Sequence, residues 1–465
     1  MIDFHPITLA DRATIERYTL SSDMRDCNLS FANMYCWRSQ LRSAWAVVDG
    51  WLLIRFSIDG GNSLGYMQPL GLGAAVDFSP IIPVMAQDAH SHNQRLRIIG
   101  VNGAGREVLR ESYGGDFALH SDPNFEDYIY RREALASLSG KRLQPKRNHI
   151  NQFLKRCADY EYRPLTPDQF DECLRLDCRW RAAHGECCEE MTPEREAMMR
   201  AFRHFEELGL RGGALYVEGK LAAFTYGSQI NSDTFCVHVE KGEREVLGCY
   251  TVINKLFAES LPDNFIYINR EEDLGIEGLK RAKLSYYPDH LQQKFRAIYL
   301  HHDEKECKRL WQSLFGDDDD FVDEFLQHHY SQQRMLRVVD SDNRYHSMLH
   351  IVPFETVLGR VAYIYGVATA EEARHRGHAS QLMKRAMELI EADGYAAAVL
   401  IPSEEWLRGY YTRFGFEGSV PTTFEAYNGF DFGSGDTAQD LAMIATLSES
   451  CELPKDLVMR RQRDL

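Results

Sequence analysis

The chain has 465 residues, 44% of them hydrophobic, and a formal net charge of −16 at neutral pH. That length exceeds one compact core and predicts two or three domains, while the surplus of acid argues against unspecific binding to nucleic acid or to an anionic membrane. No apolar run reaches the roughly 18 residues needed to span a bilayer, the start Met1-Ile2-Asp3-Phe4-His5-Pro6 has neither a basic segment nor an apolar signal core, and the 11 cysteines lack CxxC or Cys/His ligand spacing. A cytoplasmic protein with reduced cysteines and no metal is expected.

In chain order, Thr8 or Asp11 can cap a first helix. Strand-like runs follow at 44–48, 51–57 and 97–101, alternating with helical segments and without a phosphate-binding pattern. Between 128 and 156 the positive charge concentrates: Arg131, Arg132, Lys141, Arg142, Lys146, Arg147, Lys155 and Arg156 accompany Glu133. A solvated helix face explains an ordinary charge run, but one set against the global sign also suits an anion, either the phosphates of an acyl carrier or an RNA backbone.

Further strands are expected at 213–217, 221–230, 234–239 and 265–268. Residues 267–288 then place charges of both signs, two glycines and a closing proline just after a strand. Polar residues at a strand end are where α/β domains keep their sites, although a plain surface loop fits equally. Residues 301–330 mark a boundary, with Leu310, Trp311, Leu314 and Phe315 on one helix face, Gly316 as its stop, and Asp317 to Asp320 opening the next helix at its positive end. His301, His302, His328 and His329 carry no third-ligand spacing, which speaks against metal.

The stretch Gly366 to Ala379 joins an apolar strand, 361–367, to an amphipathic helix, 379–392. Arg374, Gly377 and Ala379 leave little bulk where the chain turns into the helix. Unpaired N–H groups and a positive dipole end there suit a phosphate, and glycine lets it approach the backbone. A second apolar strand, 396–401, leads through Trp406 and Leu407 to Tyr410-Tyr411-Thr412-Arg413-Phe414-Gly415-Phe416.

These last two motifs, in this order, resemble the GNAT superfamily of N-acetyltransferases. Arg374-His375-Arg376-Gly377-His378-Ala379 matches its acyl-CoA pyrophosphate loop, and Tyr410 to Phe416 matches its Phe-Tyr-x-x-x-Gly-Phe segment. The resemblance implies acetyl-CoA or another acyl-CoA as donor, bound by Gly366, Val367, Arg374, His375, Arg376, Gly377, His378 and Ala379. It also implies Tyr411 as general acid for the CoA thiolate, and an amine of a small molecule or peptide as acceptor. Glu355, Glu404, Glu405 or a water chain remain open as the base.

Residues 1–300 are similar to a family that shares its fold with the C-terminal domain of phosphatidylglycerol lysyltransferases. The likeness rests on Asp127-Tyr128-Ile129-Tyr130, Leu138 with Gly140-Lys141, Lys146 to Phe153, His238-Val239-Glu240-Lys241, and Asn269 to Pro288. It implies tandem GNAT-like subdomains of aminoacyltransferase type, with Lys146, Arg147, Asn148, Glu240, Lys241, Asn269, Arg270, Glu271, Asp273 and Lys283 as substrate-binding positions and aminoacyl-tRNA as a partner. The large membrane domain of the lysyltransferases is absent, which leaves a lipid acceptor in doubt. The expected fold is therefore α/β (α+β), with three GNAT-like acyl-CoA N-acyltransferase units, each a mixed central sheet flanked by helices. They are expected at 1–140, lacking the CoA loop, at 141–302, and at 303–465. Acetyl-CoA-dependent N-acetylation by the last unit is the leading activity. Aminoacyl transfer by the tandem module, to a lipid or peptide, and a non-catalytic CoA-binding or regulatory role are the alternatives.

Overall fold

A computed structural model describes residues 2–73, 76–183, 185, 187, 190–425, 430, 432, 440–447 and 453–461. The chain divides into two compact units, 1–114 with 121–298 and 115–120 with 299–465. Its strands form three seven-stranded mixed sheets flanked by helices. The α/β class is the one expected.

In the first unit, six of the seven strands of one sheet run in spatial order His5–Pro6, Ala44–Val48, Trp51–Ile58, Ser63–Met67, Arg97–Val101, Phe295–Tyr299. The other runs His290–Gln292, Asp127–Arg131, Tyr267–Asn269, Thr234–Gly242, Lys220–Gln229, Arg211–Val217, Tyr160–Pro164. Strand Asp127–Arg131 thus joins the second sheet ahead of residue 140, and Phe295–Tyr299 returns to the first. Sheet membership is fixed by long-range pairing, which local pattern does not encode. One apolar cluster spans both halves of the unit, holding Phe31, Leu52 and Ile54 beside Phe202, Phe224 and Tyr226. Phe170 stacks on Phe202 there, ring centres 4.4 Å apart.

The second unit carries the third sheet, in the order Met335–Val339, Tyr345–Thr356, Gly359–Thr369, Ala397–Leu400, Asp440–Thr446, Glu417–Phe424, Leu457–Arg461. Strand Leu457–Arg461 also pairs with Tyr345–Thr356, so the sheet curls back on itself. Helix His378–Ala392 lays Leu382, Met383, Ala386 and Ile390, at helical spacing, onto strand residues Leu349, Ile351 and Ile364. Burial of each large aliphatic side chain there contributes roughly 1.5–3 kcal/mol.

Helix His302–Phe315 ends on Gly316 at φ +73°, a left-handed stop that glycine adopts without strain. Asp318 then accepts from Phe321 N at 2.8 Å and caps helix Asp319–His328. Leu310 and Trp311 are buried as expected, but Phe315 is exposed, because the last turn has run past the core by then. Among the described residues no helix is long and apolar enough to cross a membrane. Cys178 is disulfide-bonded, contrary to the expectation of reduced cysteines. Among the described residues eight other cysteines are free, Cys187 among them, and Cys188 and Cys451 lie outside the described residues.

Candidate functional site

Strand Gly359–Thr369 sets the geometry of the second unit's site. Its parallel register with Ala397–Leu400 runs from Val361↔Ala397 to Tyr363↔Val399 and stops, although the strand continues for six more residues. On its other side the antiparallel register jumps, with Met348↔Ala368 followed by His350↔Tyr365. Leu349 therefore faces two residues, Gly366 and Val367, a β-bulge that bends the strand away from its parallel neighbour. Neither register includes Gly366 or Val367.

Gly366 is required at the bulge. Its φ is +61°, and a Cβ there would lie 3.1 Å from the Trp311 ring and 3.3 Å from His350. Gly377, at φ +81°, is the N-cap of helix His378–Ala392 and supplies no capping side chain. The ladder begins with Gln381 N donating to Gly377 O at 3.0 Å, so the N–H groups of His378 and Ala379 have no intrahelical acceptor. A Cβ on Gly377 would meet nothing within 4 Å. Arg374 is half exposed, 3.7 Å from Glu371, and His375 and Arg376 are exposed beside it. The Gly366–Val367 bulge and the Arg374–Ala379 turn lie on one strand-loop-helix segment.

Tyr411 ends helix Leu407–Tyr411 and is 7% exposed. Burial, with Tyr410 beside it, pushes its phenol up to about 12, so it stays protonated at neutral pH. Tyr410 ties this segment to the start of helix His378–Ala392, its hydroxyl 3.2 Å from Ser380 Oγ. Of the open base candidates, Glu355 pairs with Arg360 at the far end of the strand from the bulge, and Glu404 and Glu405 are exposed. Sequence reasoning missed His346, which lies 3.4 Å from Asp340 and holds its ring 6.2 Å from that of His378. Strand pairing alone brings it there, so no local motif marks it.

In the first unit the ten expected positions sort into distinct places. Arg270 donates to Glu240 at 3.0 Å, and Asn254 donates to the other Glu240 oxygen at 3.1 Å. The Arg270 guanidinium lies 5.1 Å from the Tyr286 ring centre, and the Lys146 ammonium 3.8 Å from the same ring. Burial, reinforced by Arg270, lowers Lys146 to about 8. Among the described residues Lys146 has no hydrogen bond or ion pair. Arg270 Nη1 and Asn254 Oδ1 are likewise buried without a partner there. Glu240 also lines a cleft of about 1710 Å³ with Trp180, Glu243, Arg244, Tyr250 and Leu279.

Glu271 lies in a second, denser network. Its carboxylate meets His238 Nδ1 at 2.8 Å and accepts from Asn33 at 2.9 Å, while His238 Nε2 lies 2.7 Å from Ser228 Oγ. Burial alone would push this carboxyl up, but His238 and Asn33 outweigh it and hold it below the usual range. Asn269 donates to Asp127 at 2.9 Å and Asp273 accepts from Tyr128 at 2.5 Å. Lys283 donates to the carbonyls of Arg270, Glu271 and Glu272, pinning a turn in which Glu271 and Leu274 both have positive φ. Lys294, which the sequence did not single out, sits among Asp127 at 2.9 Å, Glu272 at 2.5 Å and Asp26 at 3.7 Å.

The remaining three positions serve local structure. Arg147 donates to the carbonyls of Leu138 and Gly140, and Asn148 accepts from Gln144 at 2.9 Å. Lys241 is buried against Asp177 at 2.5 Å, apart from Glu271.

Two family comparisons bear on these sites. Residues 21–298 match the family described as phosphatidylglycerol lysyltransferase, C-terminal, and residues 298–418 match the acetyltransferase (GNAT) domain. The first match covers more than half of the chain, which belongs to the family of the phosphatidylglycerol lysyltransferase C-terminal domain and carries a GNAT acetyltransferase domain after it. It is 44% identical to a conserved protein of unknown function from Bacteroides thetaiotaomicron VPI-5482, over 64% of this chain and all of that one, with a TM-score of 0.61. It is 24% identical to an uncharacterized protein of Mycoplasmoides gallisepticum, over 43% of this chain. That match spans 64% of the relative, less than two thirds of its length. The C-terminal domain of a putative lysylphosphatidylglycerol synthetase from Agrobacterium fabrum is 14% identical over 63% of this chain and 94% of that one, with a TM-score of 0.45.

Proposed function

We propose that the second unit transfers an acyl group, acetyl in the first instance, from an acyl-CoA to an amine of a small molecule or peptide. The observation that carries this reading is the parting of strand Gly359–Thr369 from Ala397–Leu400 beyond Tyr363, combined with the bulge at Gly366–Val367. A bound acyl-CoA would supply the activated thioester. In this reading the main-chain N–H groups of the bulge hold the pantetheine arm and polarise the acyl carbonyl, a donor set that needs no reorganisation. Gly377, His378 and Ala379 offer N–H groups and the positive end of a helix to the pyrophosphate, and Arg374 and Arg376 add charge. The open space at Gly377 fits that group. Tyr411, protonated at neutral pH, donates the proton to the departing sulfur.

The test is release of free CoA thiol from acetyl-CoA over a panel of amines. Amine-dependent release that disappears in Gly377→Glu supports the reading. Tight acetyl-CoA binding without release from any amine favours a regulatory, CoA-sensing role, and absence of both rejects the site.

A second reading places aminoacyl transfer in the first unit, with aminoacyl-tRNA as donor. It is supported by the unpaired amine of Lys146 beside the Glu240–Arg270 pair at the edge of the cleft. Glu240 suits the α-amine of an aminoacyl group and the basic run near Lys146 suits a phosphate backbone. Binding of charged tRNA that ignores charge reversal at Lys146 and Arg147 removes this idea.

A further inference from the structure

Among the described residues three clusters bring histidine, cysteine or carboxylate ligand atoms together, and two of them are already filled by the protein. In Cys236–His238–Glu271 both ring nitrogens of His238 are engaged, with Glu271 and with Ser228. In Asp26–Cys27–Asp127 the Lys294 ammonium occupies the position of a cation. The third cluster is His120, Glu324 and His328 in the second unit.

Local structure aims these three side chains at one point. Glu324 and His328 are four residues apart on helix Asp319–His328 and so share a face. The preceding residue, Asp323, is buried and accepts from Leu119 N at 2.9 Å, which fixes the register of segment 115–120 on the helix. His120, one residue on, thereby has its Nδ1 against Glu324 Oε2, and its ring centre lies 5.1 Å from that of His328. One ligand atom from each residue lies within 4.8 Å of the other two. The Glu324 carboxylate is buried, with Oε2 against His120 Nδ1 and Oε1 3.8 Å from His328 Nε2, and the amide of Gln327, on the next position of the same face, is buried without a hydrogen-bond partner among the described residues. Buried polar atoms of this kind call for a water or an ion.

We propose that His120, Glu324 and His328 bind a divalent transition metal ion, with zinc as the best fit. Two imidazoles and one carboxylate are a donor set that Zn²⁺ takes with water in the fourth place, and nitrogen ligands disfavour Mg²⁺ and Ca²⁺. The opposite side of the helix, with Val322 and Phe325, packs into the core. The ion would therefore pin segment 115–120 to the helix, a positioning role outside the acyl-transfer groove.

The experiment titrates chelator-stripped full-length protein with Zn²⁺ by calorimetry and with Co²⁺ by absorption. The expected result is one tight equivalent of zinc, a raised melting temperature, and a cobalt spectrum without a thiolate charge-transfer band. Glu324→Gln and His328→Ala should each weaken zinc at least tenfold while the circular dichroism of the metal-free variants matches wild type. His120→Ala, on the other side of the contact, should do the same, so one misfolded variant leaves two readouts. Absence of binding, unchanged binding in all three variants, or a thiolate band pointing to Cys27 or Cys236 would overturn the site.

Discussion

Tyr363 pairs with Val399, and it is the last residue of its strand to pair on that side. Two residues before the bulge at Gly366, the sheet therefore opens, and the bulge and the N-terminus of helix His378–Ala392 follow on the same strand-loop-helix segment.

The bulge tolerates no side chain at its first residue. Gly366→Val places a branched Cβ against Trp311 and His350 at a φ of +61°. The left-handed strain alone costs about 1–2 kcal/mol, and relief by flattening the bulge closes the opening. We expect a lower melting temperature together with loss of acetyl-CoA binding. Gly377→Ala, which meets nothing within 4 Å, should cost stability through φ alone and retain binding.

Tyr411→Phe keeps the ring and removes the proton. Because the phenol is held near 12, wild-type transfer should show no loss from Tyr411 ionisation across the neutral range. The variant should fall about 100-fold in kcat with little change in acetyl-CoA affinity. A full rate in Tyr411→Phe at every pH would remove the general-acid role.

Acid should destabilise the second unit through its buried histidines. Burial lowers His350 to about 3 from an ordinary value of 6.5, and burial with Arg461 and His328 nearby lowers His329 to about 3. Between those values the unfolded chain binds more protons than the folded one. Stability therefore falls as pH drops from 6.5 towards 3, by up to about 1.4 kcal/mol per pH unit for each histidine. Above 6.5 these groups contribute no slope. Urea midpoints measured down this window should fall, and the slope should be shallower in His350→Gln.

The Glu240–Arg270 pair is buried on both sides, at 11% and 12% side-chain exposure. Removing one partner strands the other, and Glu240→Ala should destabilise the first unit by about 3 kcal/mol. Replacing both residues together should cost less than the sum of the single changes, which a double-mutant cycle in urea reads directly.

Much of this architecture was legible because local signals and the fold agree. The strand expected at 361–367 is Gly359–Thr369 and the helix expected at 379–392 is His378–Ala392, since β-branched runs and helical spacing reflect burial on one face. Gly316 stops its helix as its type suggests. The bulge was not legible, because it arises from a register jump opposite Leu349, a property of the pairing. Arg147 reads as a phosphate ligand in a basic run, yet its donors are turned to the carbonyls of Leu138 and Gly140. His120 is some two hundred residues from Glu324 in sequence, so spacing rules tuned to short-range ligand pairs pass over that cluster.

The most direct test of the acyl-CoA site is amide hydrogen exchange of the full-length protein with and without acetyl-CoA. Protection concentrated in peptides covering Gly366–Val367 and His378–Ala379, and lost in Gly377→Glu, is the predicted result. Acetyl-CoA that binds while leaving those amides unprotected, or that fails to bind at all, would contradict the account.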